Sequence, residues 1–169
     1  MLYFAYGSNL NQEQMSGRCP DAKPLGKFEL DNWRLVFRGV ADIEPHKGSR
    51  LMCGLWDITS RDEKNLDRYE GFPRLYRKEE ICGIMTYRMN SEEIVPPYDD
   101  YFDTILRGYR DFDLEEEPLW EAYQHSWRDQ KTLVIGELFG VLRGASGSPF
   151  FVPESPRIPP NPNNCSFAS

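Results

Sequence analysis

A carboxylate set among aromatic residues, and a glycine turn closing a short apolar run, are the two places where this chain could do chemistry. Glu70 stands between Tyr69 and Gly71, with Phe72 and Pro73 following. A carboxyl group withdrawn from water holds its proton more tightly, and one that titrates near neutrality can act as a general acid or base. The same residue also reads as an exposed glutamate at a helix end, the commoner situation for this side chain. The second place is Tyr6-Gly7-Ser8-Asn9. Glycine lets a ligand approach the backbone, the N–H groups of such a turn can form an anion nest, and Ser8 and Asn9 add side-chain donors. Its plainer reading is a turn that caps a helix. Tyr76 is a third candidate, either a hydroxyl donor to a ligand carbonyl or a tyrosine at the edge of the core.

Other chemistries find less support. His46 lies in a polar stretch and His125 on a helix near Trp127, and neither has a serine or cysteine partner in a nucleophile-elbow context. Cys19, Cys53, Cys82 and Cys165 lack metal-ligand spacing, so no metal is expected and the four read as reduced thiols in a cytoplasm-like compartment. A net charge of −7 argues against a nucleic-acid partner. The clearest basic cluster, Arg74, Arg77 and Lys78, adjoins Glu79 and Glu80 and reads as a solvated face. The first residues lack the charged and apolar regions of a signal peptide, and no apolar stretch reaches the ~18 residues of a membrane span. The expectation is a cytoplasmic protein with no membrane and no nucleic acid among its partners.

The elements that must hold these residues follow from pattern. A length of 169 residues suits a single core. Leu2 to Tyr6 predicts a buried strand, and Asn9 or Asn11 can cap a short helix through Gln14 to Arg18. Phe28 to Arg38 alternates, with Trp33, Leu35 and Phe37 on one face, while Pro45 and Gly48 mark Asp42 to Ser49 as a loop or hairpin connection. Leu51 to Ile58 predicts the next strand. Ser60 and Glu63 fit a capping box opening a helix from Arg61 to about Tyr69, with Leu66 and Tyr69 inward and Gly71 stopping it. Leu75 to Met89 reads as one strand. Phe102, Ile105, Leu106 and Tyr109 predict a helix from Asp99, and Pro118 opens another through about Trp127. Leu133 to Leu142 leans to strand. From Gly144 prolines accumulate, which divides the chain into a domain over 1–143 and a Pro-rich tail over 144–169. The assembled picture is α+β, a small mixed β-barrel with peripheral helices.

In combination these segments resemble a known family. Tyr3-Phe4-Ala5-Tyr6-Gly7-Ser8-Asn9-Leu10 is similar to the FAYGSNL signature of γ-glutamyl cyclotransferases and related AIG2-like proteins. Leu66-Asp67-Arg68-Tyr69-Glu70-Gly71 followed by Tyr76 resembles the family's LDxxEG…Y segment. Arg18-Cys19-Pro20-Asp21-Ala22 and Gly54-Leu55-Trp56-Asp57-Ile58 also match familiar positions, and the resemblance runs from about residue 2 to residue 114. It implies that Tyr6, Gly7, Ser8, Asn9 and Leu10 hold the glutamyl end of a substrate, that Glu70 is the catalytic acid/base, and that Tyr76 lines the same pocket. The implied partner is a small-molecule γ-glutamyl amide, cleaved without a cofactor into 5-oxoproline and a free amine or amino acid. The implied fold is again a small mixed barrel. A non-catalytic module binding a small molecule or protein on the same scaffold is the alternative, and both a monomer and a homodimer fit.

Overall fold

The computed structural model describes residues 1–128 and the strand Cys165–Phe167. The predicted strand over Leu133 to Leu142 lies outside the described residues. In chain order the elements are β1 (Leu2–Ala5), a 3-10 turn (Ser8–Leu10), α1 (Gln12–Arg18), β2 (Lys23–Phe37), β3 (Ala41–Asp57), α2 (Ser60–Tyr69), β4 (Tyr76–Ile81), β5 (Ile84–Met89), α3 (Asp99–Asp111), α4 over 117–128, and β6 (Cys165–Phe167). The strands form one six-stranded mixed sheet in the order β4-β5-β1-β3-β2-β6. Short β1 lies inside the sheet, antiparallel to β3 and parallel to β5. Cys165–Phe167 thus add a strand along β2, pairing Phe28 with Phe167 and Leu30 with Cys165.

The α+β class stands, but the sheet is open rather than closed into a barrel. Closure would require β4 to pair with the far edge, whereas among the described residues β4 pairs with β5 alone and β6 with β2 alone. The long β2–β3 hairpin also differs from expectation. It turns at Arg38–Val40, and Asp42 to Ser49 belongs to β3 instead of connecting two strands. Pro45 and Gly48 mark an irregularity there. The register passes from Asp31↔Arg50 to Trp33↔Pro45, so residues 46–49 run opposite Asn32 alone. Asn32 adopts a positive φ, and its Oδ1 accepts from the Gly48 amide at 3.0 Å. The stretch from Leu75 to Met89 is likewise two strands, reversed at Cys82-Gly83 with both residues at positive φ, as tight hairpins require.

The helix ends show how local chemistry sets the frame. Asn11 caps α1 by accepting from the Gln14 amide at 2.9 Å. The capping box of α2 is formed by Thr59 and Asp62, one residue before the Ser60 and Glu63 pair expected, because Thr59 is the last residue in extended conformation. At its other end Gly71 takes φ +63, and the Gly71 and Phe72 amides donate back to the Arg68 and Asp67 carbonyls. That is a Schellman ending, with Glu70 as the final cap residue. Leu66 is buried as expected, whereas Tyr69 is exposed.

The core lies between the sheet and the helices that carry Leu10, Met15, Leu66 and Ile105, with Phe4 and Phe28 in ring contact across it. Two glycines permit the closest packing. A Cβ at Gly54 would fall 2.7 Å from a Leu10 methyl, and one at Gly108 only 2.5 Å from the Leu10 Cβ and 2.6 Å from the Asn11 amide. Helix α3 therefore rests directly on the 3-10 turn. Cys19 and Cys53 are free thiols, but Cys82 is disulfide-bonded, which departs from the expectation of four reduced cysteines. Among the described residues no helix is long and apolar enough to cross a membrane.

Candidate active site

Two segments far apart in sequence meet at the end of β1. The strand stops at Ala5, Gly7 opens the 3-10 turn, and the C-cap of α2 brings Glu70 alongside. Gly7 has little room for a side chain, since a Cβ there would lie 2.9 Å from the Ala41 Cβ and 3.5 Å from the Tyr101 hydroxyl. The cleft between these segments is small and is lined by Tyr3, Tyr6, Gly7, Ser8, Asn9, Ala41, Glu70, Tyr76, Tyr87 and Tyr101.

Asn9 is the link between turn and carboxylate. Its Nδ2 donates to Glu70 Oε1 at 2.7 Å and to the Tyr3 hydroxyl at 2.8 Å. Its Oδ1 accepts from Arg18 Nη1 at 2.7 Å, which fixes the amide with its nitrogen toward the carboxylate. Arg18 is itself held, its guanidinium 3.6 Å from the centroid of the Tyr69 ring and donating to Gln14 Oε1 and the Tyr69 hydroxyl. Burial of the Glu70 carboxyl pushes its pKa up to about 7, against the opposing pull of the Asn9 hydrogen bond and the Arg18 charge. A carboxylate poised near neutrality can both accept and return a proton at physiological pH.

The tyrosines around it come from four different elements. Tyr6 donates to the Tyr87 carbonyl, Tyr76 to the Ala41 carbonyl at 2.7 Å, and Tyr87 to Asp67 Oδ1 at 2.7 Å. Tyr101, from α3, accepts the Ala41 amide at 3.2 Å. Burial drives the Tyr3, Tyr6, Tyr76, Tyr87 and Tyr101 hydroxyls well above their ordinary pKa. They stay protonated across the working range and present donors, not charges.

Of the residues singled out in the sequence, Tyr6, Gly7, Ser8, Asn9, Glu70 and Tyr76 line one cleft. Leu10 does not. It is fully buried against Gly54 and Gly108, so its part is to seat the turn. Tyr3, Ala41, Tyr87, Tyr101 and the supporting Arg18 were not foreseen as site residues. Tyr101 stands seven residues before Gly108, the α3 glycine that packs against the turn. The basic residues Arg77 and Lys78 are engaged by Glu79 and by Glu63 and Asp67. Among the described residues no three His, Cys, Asp or Glu side chains gather as metal ligands.

This arrangement falls within a known class. The family described as gamma-glutamyl cyclotransferase, AIG2-like, matches residues 3–102, and the chain belongs to that family. A bovine (Bos taurus) protein named gamma-glutamylcyclotransferase is 29% identical over 164 residues, covering 84% of this chain and 87% of the relative. A human crystal structure solved as an uncharacterized protein is 26% identical with a TM-score of 0.64, covering 72% of this chain and 85% of that one. A solved gamma-glutamyl cyclotransferase shares the fold at 24% identity, also with a TM-score of 0.64 and the same coverage.

Proposed function

We propose that this protein is a γ-glutamyl cyclotransferase that converts a γ-glutamyl amide into 5-oxoproline and a free amine or amino acid, with Glu70 as general acid/base. The observation that carries the reading is the Glu70 carboxylate, held by Asn9 on one oxygen and raised by burial to titrate near 7, beside the Gly7–Asn9 turn. The relatives named gamma-glutamylcyclotransferase support the reaction class.

The chemistry needs no protein nucleophile. The substrate's α-amine reaches its own γ-carbonyl to close a five-membered ring, and a site that selects the bent conformer gains a high effective molarity. Near neutral pH the α-nitrogen starts with three protons and ends, in the lactam, with one. The amide nitrogen starts with one and leaves as an ammonium with three. Glu70 carries both protons in turn, one before attack and one from the tetrahedral intermediate to the leaving nitrogen. Bonds balance without water: the new C–N bond replaces the broken one. The first amides of the 3-10 turn have no partner within it and suit the substrate's α-carboxylate.

The test is 5-oxoproline release from γ-glutamyl amino acids, γ-glutamylamines and glutathione, with Glu70→Gln alongside. The expected result is release from at least one substrate class and a loss of turnover of about a hundredfold or more in a folded mutant. Ligand binding without product across the whole panel would replace this reading with a binding role.

A further inference from the structure

Proton transfer by Glu70 leaves one demand of the reaction unmet. As the ring closes, the γ-carbonyl oxygen becomes an oxyanion, and a donor aimed at that oxygen in a dry site is worth more than any in water. Each tyrosine hydroxyl at the cleft has a single proton to give. Three are committed: Tyr6 to the Tyr87 carbonyl, Tyr76 to the Ala41 carbonyl, and Tyr87 to Asp67. Tyr3 is different. Its oxygen accepts from Asn9 Nδ2 at 2.8 Å, and among the described residues the hydroxyl has no acceptor of its own, so its proton is left to donate. The same Asn9 nitrogen holds Glu70 Oε1 at 2.7 Å, which makes the Tyr3 hydroxyl and the Glu70 carboxylate close neighbours. Tyr101 also accepts, from the Ala41 amide, but its hydroxyl stands at the Gly7 end of the cleft.

We infer that the Tyr3 hydroxyl donates a hydrogen bond to the substrate's γ-carbonyl oxygen and stabilises the tetrahedral oxyanion, a catalytic role that rests on the cyclotransferase reading above. Asn9 then serves both halves of the reaction, orienting the base with one hydrogen and the electrophilic donor with the other. No proton leaves Tyr3. The hydrogen bond tightens as charge develops and relaxes when the carbonyl re-forms. Burial and the neighbouring Glu70 charge keep the phenol protonated throughout.

The measurement is kcat and KM for a γ-glutamyl amino acid, with pH profiles, in Tyr3→Phe, Tyr101→Phe and the wild type. Tyr3→Phe is expected to lose about a hundredfold in kcat, with KM little changed and the acid limb of kcat/KM where it was. Wild-type kcat in folded Tyr3→Phe overturns the proposal, as does a loss confined to Tyr101→Phe. A shifted acid limb with kcat restored at higher pH also overturns it, since Tyr3 would then act only through Asn9 on Glu70. If Tyr3→Phe fails to fold, fluorotyrosine at position 3 keeps size and acceptor while sharpening the proton. A rate that tracks donor acidity supports the role, and an indifferent rate overturns it. An inactive wild type would instead remove the cyclotransferase reading itself, and this proposal with it.

Discussion

Glu70 and Asp42 are both carboxylates withdrawn from water whose charges act on the Tyr6 hydroxyl, and they are treated in contrary ways. Asp42 is 1% exposed and takes Arg38 Nε at 2.9 Å, Arg88 Nε at 3.1 Å and the Met89 amide at 3.1 Å. The cluster continues to Glu44, which binds both Arg34 and Arg38. Among the described residues Glu70 has one neutral donor, Asn9, which in turn accepts from the cation Arg18. A carboxylate surrounded by charged donors is held in place by them, while one given a single amide in a desolvated cleft stays within reach of both protonation states. The molecule thus uses one buried acid to join the β2–β3 turn to β3 and β5, and the other is the one proposed above to move a proton.

The strongest way to break this contrast is to remove Asp42. Asp42→Ala leaves two buried guanidinium groups without their shared partner, and the expected loss is about 3–5 kcal/mol in urea unfolding. Glu70→Gln should do the reverse. Because the folded state raises the Glu70 pKa, the native protein is favoured while the group is protonated and loses that advantage as pH rises from about 4.5 to about 7. The wild type should therefore lose on the order of 2 kcal/mol between pH 5 and pH 8 that Glu70→Gln does not lose, seen as converging melting temperatures at low pH. In activity, the wild-type kcat/KM should rise with pH through a midpoint near 7 as the free base forms. Asn9→Ala should move that midpoint upward by about one unit, the worth of one hydrogen bond to a charged group. Thr59→Ala, which opens the capping box of α2, should cost only about 1 kcal/mol and leave the midpoint in place.

The same contrast explains what could be read from the chain alone. The turn at Tyr6–Asn9 and the helix ending at Glu70-Gly71 are local events, written in a few adjacent residues, and both were legible. The class of fold was legible too, because strand alternation and helix spacing survive without tertiary context. What escaped was set by distant partners. Nothing near Asp42 announces that Arg88 and Met89 will reach it, and the stretch around Pro45 looks like a loop until Asn32 opposite it absorbs the extra residues. Tyr87 and Tyr101 arrive at the cleft from β5 and α3, and no local pattern separates them from ordinary core tyrosines. Leu10 was drawn into the site by its neighbours in the motif, although its apolar side chain belongs to the core. Barrel closure failed as an expectation for the same reason, since pairing of edge strands is decided by register across the whole sheet.

The absence of a side chain at Gly108 has a consequence that reaches the chemistry. With the Leu10 Cβ and the Asn11 amide both nearer than a methyl group could tolerate, α3 and the 3-10 turn have no clearance between them. They shift together or not at all. The helix that supplies Tyr101 and the turn that supplies Ser8 and Asn9 are in effect one part, so a methyl added at position 108, outside the cleft, would be felt as a displacement of the residues that hold Glu70.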